Sequence, residues 1–212
     1  MNPGRRRAFV MAIAVVMSAV FASSAPAAEF HSEGSSTVVT GSQEGTAVFA
    51  TTGGTVECEE ATVVGSTSGT TSTTISGEPT FSDCRAFGFA SATINTNGCE
   101  FVAHSDGTGD LTGCNSSSGV IVTTSLFGTL KCKLTIVPQT GIGSATYTNV
   151  GSGSTREITV DSESANISYI EHGGTGFGAC SSSIIQNSGE FEGQGVVTGE
   201  DANGNHIGIW YA

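Results

Sequence analysis

Between Gly128 and Gln139 the chain reads GTLKCKLTIVPQ, and apolar and polar residues alternate through most of it. Leu130, Cys132, Leu134 and Ile136 fall on one face at period two, and Thr129, Lys131, Lys133 and Thr135 on the other, which is the pattern of a half-buried β-strand. No stretch beyond the N-terminal segment carries the i, i+3, i+4 apolar spacing with caps that a helix needs. From Phe30 onward, short β-branched runs are instead punctuated by Gly, Ser, Asn and Asp. That spacing predicts an all-β fold, an antiparallel β-sandwich or barrel of roughly 12–14 short strands.

The expected strands include Ser36 to Thr40, Thr46 to Thr51, Gly54 to Val64, Thr71 to Ile75 and Thr129 to Val137. Later ones are Thr155 to Val160, Asn166 to Glu171, Ser183 to Gln186, Gly189 to Thr198 and His206 to Tyr211. Asn95-Thr96-Asn97-Gly98 predicts a tight hairpin, because Asn and Gly accept the positive φ such a turn demands. The turn Asp201 to Asn205 predicts that the closing strand pairs with Gly195 to Thr198. Pro79 and Pro138 are expected at strand ends or edges, where a missing N–H is tolerated. GTVECE at Gly54 to Glu59 repeats the opening of GTLKCK with its charges reversed, which suggests two related halves, 28–118 and 119–212. On that reading Glu57 and Glu59 face Lys131 and Lys133 across adjacent strands; coincidence in a Gly/Thr/Val-rich chain is the competing reading.

Residues 1–27 read as a signal peptide and 28–212 as a single all-β domain. Arg5, Arg6 and Arg7 form a cationic start, Ala8 to Phe21 an apolar run, and Ala25-Pro26-Ala27 a cleavage signal before Ala28. The apolar run is shorter than the ~20 residues a bilayer span requires. Arg6-Arg7-Ala8-Phe9-Val10 also matches part of the twin-arginine pattern, so the expected destination is secreted, by Sec or twin-arginine export. Beyond residue 27, four Lys and Arg stand against nineteen Asp and Glu, a net charge of −15. Nucleic acid and anionic membrane surfaces are therefore unsuited partners, since both bind through clustered cations. The acidity suits a solvated Ser/Thr/Gly-rich surface.

All six cysteines, Cys58, Cys84, Cys99, Cys114, Cys132 and Cys180, follow the cleavage site. An even count in an exported chain argues for three disulfides, although six cysteines allow fifteen connectivities. Pairing in order is favoured: Cys58 with Cys84, Cys99 with Cys114, Cys132 with Cys180. Metal binding is disfavoured, since no C-x-x-C spacing or nearby His at zinc-finger spacing is present.

No chemistry stands out. Four histidines (His31, His104, His172, His206) and many Ser and Asp neither support nor exclude a triad, and no G-x-S-x-G elbow occurs. Glu190 and Glu192 share one strand face about 7 Å apart, a spacing open to glycosidase carboxylates. The plainer reading is an acidic outer face with Phe191 inward. Asp106 to Asp110 and Asp201 to Asn205 have calcium-loop composition, which turn chemistry explains equally well. Gly173 to Gly178 resembles a phosphate loop in composition alone. No catalytic residue, cofactor or metal ligand is assigned.

The phrases FHSE from Phe30, TGSQEGTAVF, GTVEC, FSDCRAFGFASATINTNGCEF, GTLKCKLTIVPQ and the turn before HIGIW together resemble a family of small secreted bacterial β-proteins with paired cysteines and no assigned activity. The resemblance implies export and cysteine pairing and transfers no site residue. The expected function is a non-catalytic binding or structural role at the cell surface or in the medium, with a cell-wall or extracellular polysaccharide or a protein as partner. The alternative is a secreted glycoside or ester hydrolase of β-sandwich type. Intact-mass analysis of the exported protein is expected to place its N-terminus at Ala28; an unprocessed Met1 start contradicts the leader assignment.

Overall fold

The computed structural model describes residues 27–115, 118–127, 129–173 and 185–212. Strands dominate it. The first six are β1 (Phe30–Ser32), β2 (Ser36–Thr51), β3 (Gly54–Ser68), β4 (Thr71–Ser72), β5 (Thr74–Ala86) and β6 (Ala90–Asn95). Next come β7 (Glu100–His104), β8 (Gly109–Thr112), β9 (Val120–Leu126), β10 (Thr129–Ile136), β11 (Gln139–Ile142) and β12 (Ser144–Val150). The last are β13 (Glu157–His172), β14 (Ile185–Glu200), β15 (His206–Ile207) and β16 (Ile209–Tyr211). A single 3₁₀ turn, Gly153–Thr155, precedes β13.

The sheet closes on itself. Following hydrogen-bonded neighbours leads from β2 through β3, β5, β6, β9, β10, β13 and β14 back to β2, every pair antiparallel. The architecture is thus an eight-strand barrel rather than an open sandwich, and closure leaves its main wall no free edge. Five of these strands, β2, β3, β5, β13 and β14, run well past the closed ring. Beyond it, β7, β8 and β11 extend the wall from β5, and β12 extends it from β13. The Ala145 N–H donates to the Gly107 carbonyl at 2.7 Å where these two extensions meet.

The long strands are irregular at one level, and this divides the molecule in two. In β3 the inward residues are Val56 and Cys58, then Ala61 and Val63, with Glu59 and Glu60 both exposed between them. Directly opposite in β5, inward Phe81 gives way to Cys84, with Asp83 at φ 51°. In β13 the switch falls between Ser164 and Ile167, with Asn166 at φ 61°. The β2 register slips between Ser42 and Ala47, and the β14 register between Glu192 and Gln194. Each is a β-bulge, and Asp and Asn are the side chains best able to take the left-handed conformation a bulge demands. Below this belt the ring is filled by Phe49, Val56, Cys58, Cys84, Leu134 and Tyr169, among others. Tyr169 is fully buried with its ring edge-on to Phe49 at 6.1 Å, and its hydroxyl accepts from the Thr52 N–H at 3.2 Å.

Several sequence expectations are corrected here. The strands expected at Ser36 to Thr40 and Thr46 to Thr51 are one strand, β2, as are the two within β13 and the two within β14; Gly45, Asn166 and the residues near Gly189 bend those strands without ending them. Ser183 lies outside the described residues. The strand begun at Thr71 breaks after Ser72, and β5 then continues to Ala86, so Pro79 lies inside a strand. Pro79 pairs with Val63 on β3; on the other side β5 meets β7 only along Thr74 to Gly77 and β6 only along Cys84 to Ala86, so Pro79 stands at a locally free edge, as expected of a proline. The closing segment splits: β15 pairs with Gly199 and Glu200 of β14, and β16 pairs with β1 at the other terminus, Phe30 opposite Tyr211. The expected facing of Glu57 and Glu59 with Lys131 and Lys133 fails, because β3 lies between β2 and β5 whereas β10 lies between β9 and β13. Glu59 meets Arg85 instead, at 3.6 Å. Cys58 and Cys132 do share an interior, both buried in the same core.

Disulfides join Cys58 to Cys84 and Cys99 to Cys114; Cys180, and with it the Cys132–Cys180 pair, lies outside the described residues. Cys58 and Cys84 are register partners on β3 and β5 beside the bulge belt, so the bond ties the wall where its ladder is interrupted. Chain-entropy reasoning gives about 3 to 4 kcal/mol for a loop of this size. Replacing both cysteines by Ala is expected to lower the free energy of unfolding by about that amount in denaturant melts, against little change if the bond is dispensable.

Candidate functional site

The residues singled out in the sequence do not converge. His31 stacks on Trp210 at 5.3 Å on the outer side of β1 and β16. His104 Nε2 meets Asp110 Oδ2 at 3.0 Å, and His172 Nε2 lies 3.0 Å from Thr135 Oγ1. His206 Nδ1 contacts the Ser154 carbonyl at 2.7 Å, and its Nε2 lies 3.6 Å from Glu157. Among the described residues no serine hydroxyl is hydrogen-bonded to a histidine. Glu190 and Glu192 are both exposed, with Phe191 turned inward between them. Glu192 stands opposite Glu163, so this is an acidic outer wall and not the floor of a cleft.

The two acidic turns are occupied by their own backbone. Asp201 Oδ1 accepts the N–H groups of Asn203 and Asn205, each at 2.8 Å. Asp106 Oδ1 accepts the Thr108 N–H at 2.9 Å and its hydroxyl at 2.7 Å. No cluster of three metal-ligating side chains is present among the described residues. Residues 174–178 of the glycine-rich stretch lie outside those described.

What the sequence did not reveal is a chamber inside the extended half of the barrel. Its volume is about 220 Å³ and its walls are nearly all apolar. Beyond the bulge belt the inward positions carry Val39 and Gly41 on β2, Ala61 and Val63 on β3, Gly77 and Phe81 on β5, Phe101 and Ala103 on β7, Tyr147 on β12, Val160 on β13, and Gly193 and Val197 on β14. Phe81 and Phe191 separate the space from the disulfide-bearing core. On the opposite side Phe30, Ile158 and Ile209 pack with Ile75, Tyr147 and Tyr211. Phe30 meets Tyr147 edge-on at 4.9 Å, so β1 and β16 hold an aromatic cap over this end.

The chamber exists because inward positions hold residues too small to fill it. A Cβ added at Gly41 would meet only Val63 and Val197, at 3.5 and 3.9 Å, ordinary contact distances. Gly77 is different: a Cβ there would lie 2.5 Å from Val63, so its glycine is set by close strand packing. Small residues at inward positions forfeit the packing contacts that larger ones would make, so the open space is held at some cost to stability. The signal that could have exposed the chamber is the run of Gly and Ala at alternate strand positions: Gly41, Ala61, Ala103, Gly193 and Gly195.

Among the described residues no Asp, Glu, Lys, Arg or His lines the space. Its one phenol, Tyr147, donates to the His104 carbonyl at 3.0 Å, and burial pushes its pKa up to about 12. Charge is held just outside. Asp110, on β8, accepts the Gly141 N–H at 2.8 Å and meets His104. Those two contacts, the Gly141 N–H first, hold its carboxyl below the ordinary 3.8. No family model, curated protein or solved structure matches the chain.

The depressed Asp110 carboxyl stabilises the folded state above pH 3.8, and this contribution is lost as pH falls through the lowered folded-state value. Asp110→Asn is expected to lower stability at neutral pH and to flatten the acid limb of the stability profile. An unchanged limb in pH-dependent melts removes Asp110 from the account.

Proposed function

We propose that this chain is an exported binding protein that carries a small apolar molecule in the chamber of its barrel, without catalysing a reaction on it. The observation that supports this reading is the chamber itself: about 220 Å³ of apolar space, maintained by small inward residues at a stability cost that an occupant offsets. Binding pockets for small molecules are concave and mostly apolar, and a barrel interior is a common place for them. The acidic outside, with a net charge of −15 beyond residue 27, keeps such a carrier soluble. Disulfides and the lack of any membrane-crossing helix among the described residues are compatible with work outside the cell.

The hydrolase reading needs a cleft with converging carboxylates, and the Glu190 and Glu192 pair offers an exposed wall instead. A polysaccharide partner would use the outer surface, where His31, Trp210 and Arg156 form one stack, with the guanidinium 3.9 Å from the indole centre. That stack is internally satisfied, so the chamber carries the proposal.

Binding of indole, followed by calorimetry, tests the reading. The wild type is expected to bind with a one-to-one stoichiometry and to melt at a higher temperature when loaded. Gly41→Leu, whose side chain projects into the space, is expected to abolish binding while raising the unliganded protein's stability by about 0.5–2 kcal/mol. Loss of stability together with loss of binding points to misfolding, and Ala61→Leu then serves as the second filling variant. Binding that survives both variants refutes the chamber as the site.

A further inference from the structure

We infer that the occupant of the chamber is an electrically neutral molecule of one or two rings; this rests on the chamber being a binding site. Among the described residues the lining carries no ionisable group except the Tyr147 phenol, which stays protonated. A carboxylate or ammonium drawn inside meets no countercharge, and an isolated charge in apolar surroundings is strongly disfavoured. The Lys, Arg and His side chains nearest in sequence to the lining are already engaged: His104, next to lining residue Ala103, meets Asp110, Arg85 on the far half of β5 meets Glu59, and Arg156 lies over Trp210. The net charge of −15 beyond residue 27 repels an approaching anion further. An ionised fatty acid is thereby disfavoured although its chain is apolar.

Shape follows from the walls. Phe81, Phe101, Phe191 and Tyr147 line one space, and aromatic walls favour a ring-bearing guest. A dry cavity of about 150 Å³ admits benzene. Scaling that to about 220 Å³ gives a guest of about nine or ten heavy atoms. The Tyr147 hydroxyl donates to the His104 carbonyl, so toward a guest it can only accept, and a group on the guest that needs a donor is served at the rim, where Ser144 is exposed and also lines the space.

The test compares benzamide with benzoate at pH 7, two molecules of nine heavy atoms and the same skeleton that differ by one charge, on the full exported protein and on Gly41→Leu. Benzamide is expected to bind at least roughly tenfold tighter than benzoate, with both lost in Gly41→Leu. Equal or tighter binding of benzoate, lost in Gly41→Leu, overturns neutrality while leaving the chamber as the site. If neither compound nor indole binds, or if Gly41→Leu and Ala61→Leu both leave binding unchanged, the chamber reading fails and the inference falls with it.

Discussion

Everything distinctive in this structure depends on the belt of β-bulges that interrupts the long strands of the barrel. A strand of regular pleat turns every second residue inward along its whole length. With the extra residues at Glu59 and Glu60, at Asp83 and at Asn166, three strands of the wall, β3, β5 and β13, change the set of side chains they present to the interior. Below the belt that set includes Cys, Val, Leu and Tyr, which bury one another in a single cluster. Above it the set is rich in Gly and Ala, and a space is left. The bulges also bend and twist the strands, which carries the same five strands from a closed eight-strand ring into an extension completed by different neighbours.

The two halves divide the physical work. The ring holds the largest cluster of buried residues and the Cys58–Cys84 bond, which spans β3 and β5 beside the interruption. Cys99–Cys114 ties the short strands β7 and β8 at the side of the ring, where Leu111 and Val120 pack over it. The extended half is capped by the two ends of the described chain: β1 against β16, with the Asn149 side chain bonding both the N–H and the carbonyl of Tyr211, at 2.8 and 2.7 Å. Charges stay outside on both halves. The Glu59–Arg85 pair is well exposed and so contributes little to stability, whereas the separation of an acidic exterior from an uncharged chamber bears on what the protein can hold.

How much of this was legible in the sequence follows from what period-two patterns record. GTLKCKLTIVPQ announces β10 because its inward residues are large and its outward ones polar, and Cys132 and Leu134 are buried as that pattern requires. The all-β class and the turns at Asn97 and Asp201 were legible for similar local reasons. Strand continuity was not, because Gly45 and Asn166 are turn residues by local chemistry and become bulges when neighbours hydrogen-bond past them. Pairing of β1 with β16 joins residues at opposite ends of the described chain and leaves no local trace. The chamber was hidden because an absent side chain gives no pattern: Gly41, Ala61 and Gly193 look like flexible or neutral positions until the wall places them around one space.

The account's central claim is that this space is real, dry and open to an apolar guest. Diffraction from crystals of the protein held under xenon pressure tests it most directly, since xenon enters apolar cavities and needs no chemical recognition. The account predicts ordered xenon enclosed by Val63, Phe101, Phe191 and Tyr147. Side chains collapsed into the space, or a chain of ordered waters filling it with no xenon bound, would contradict it.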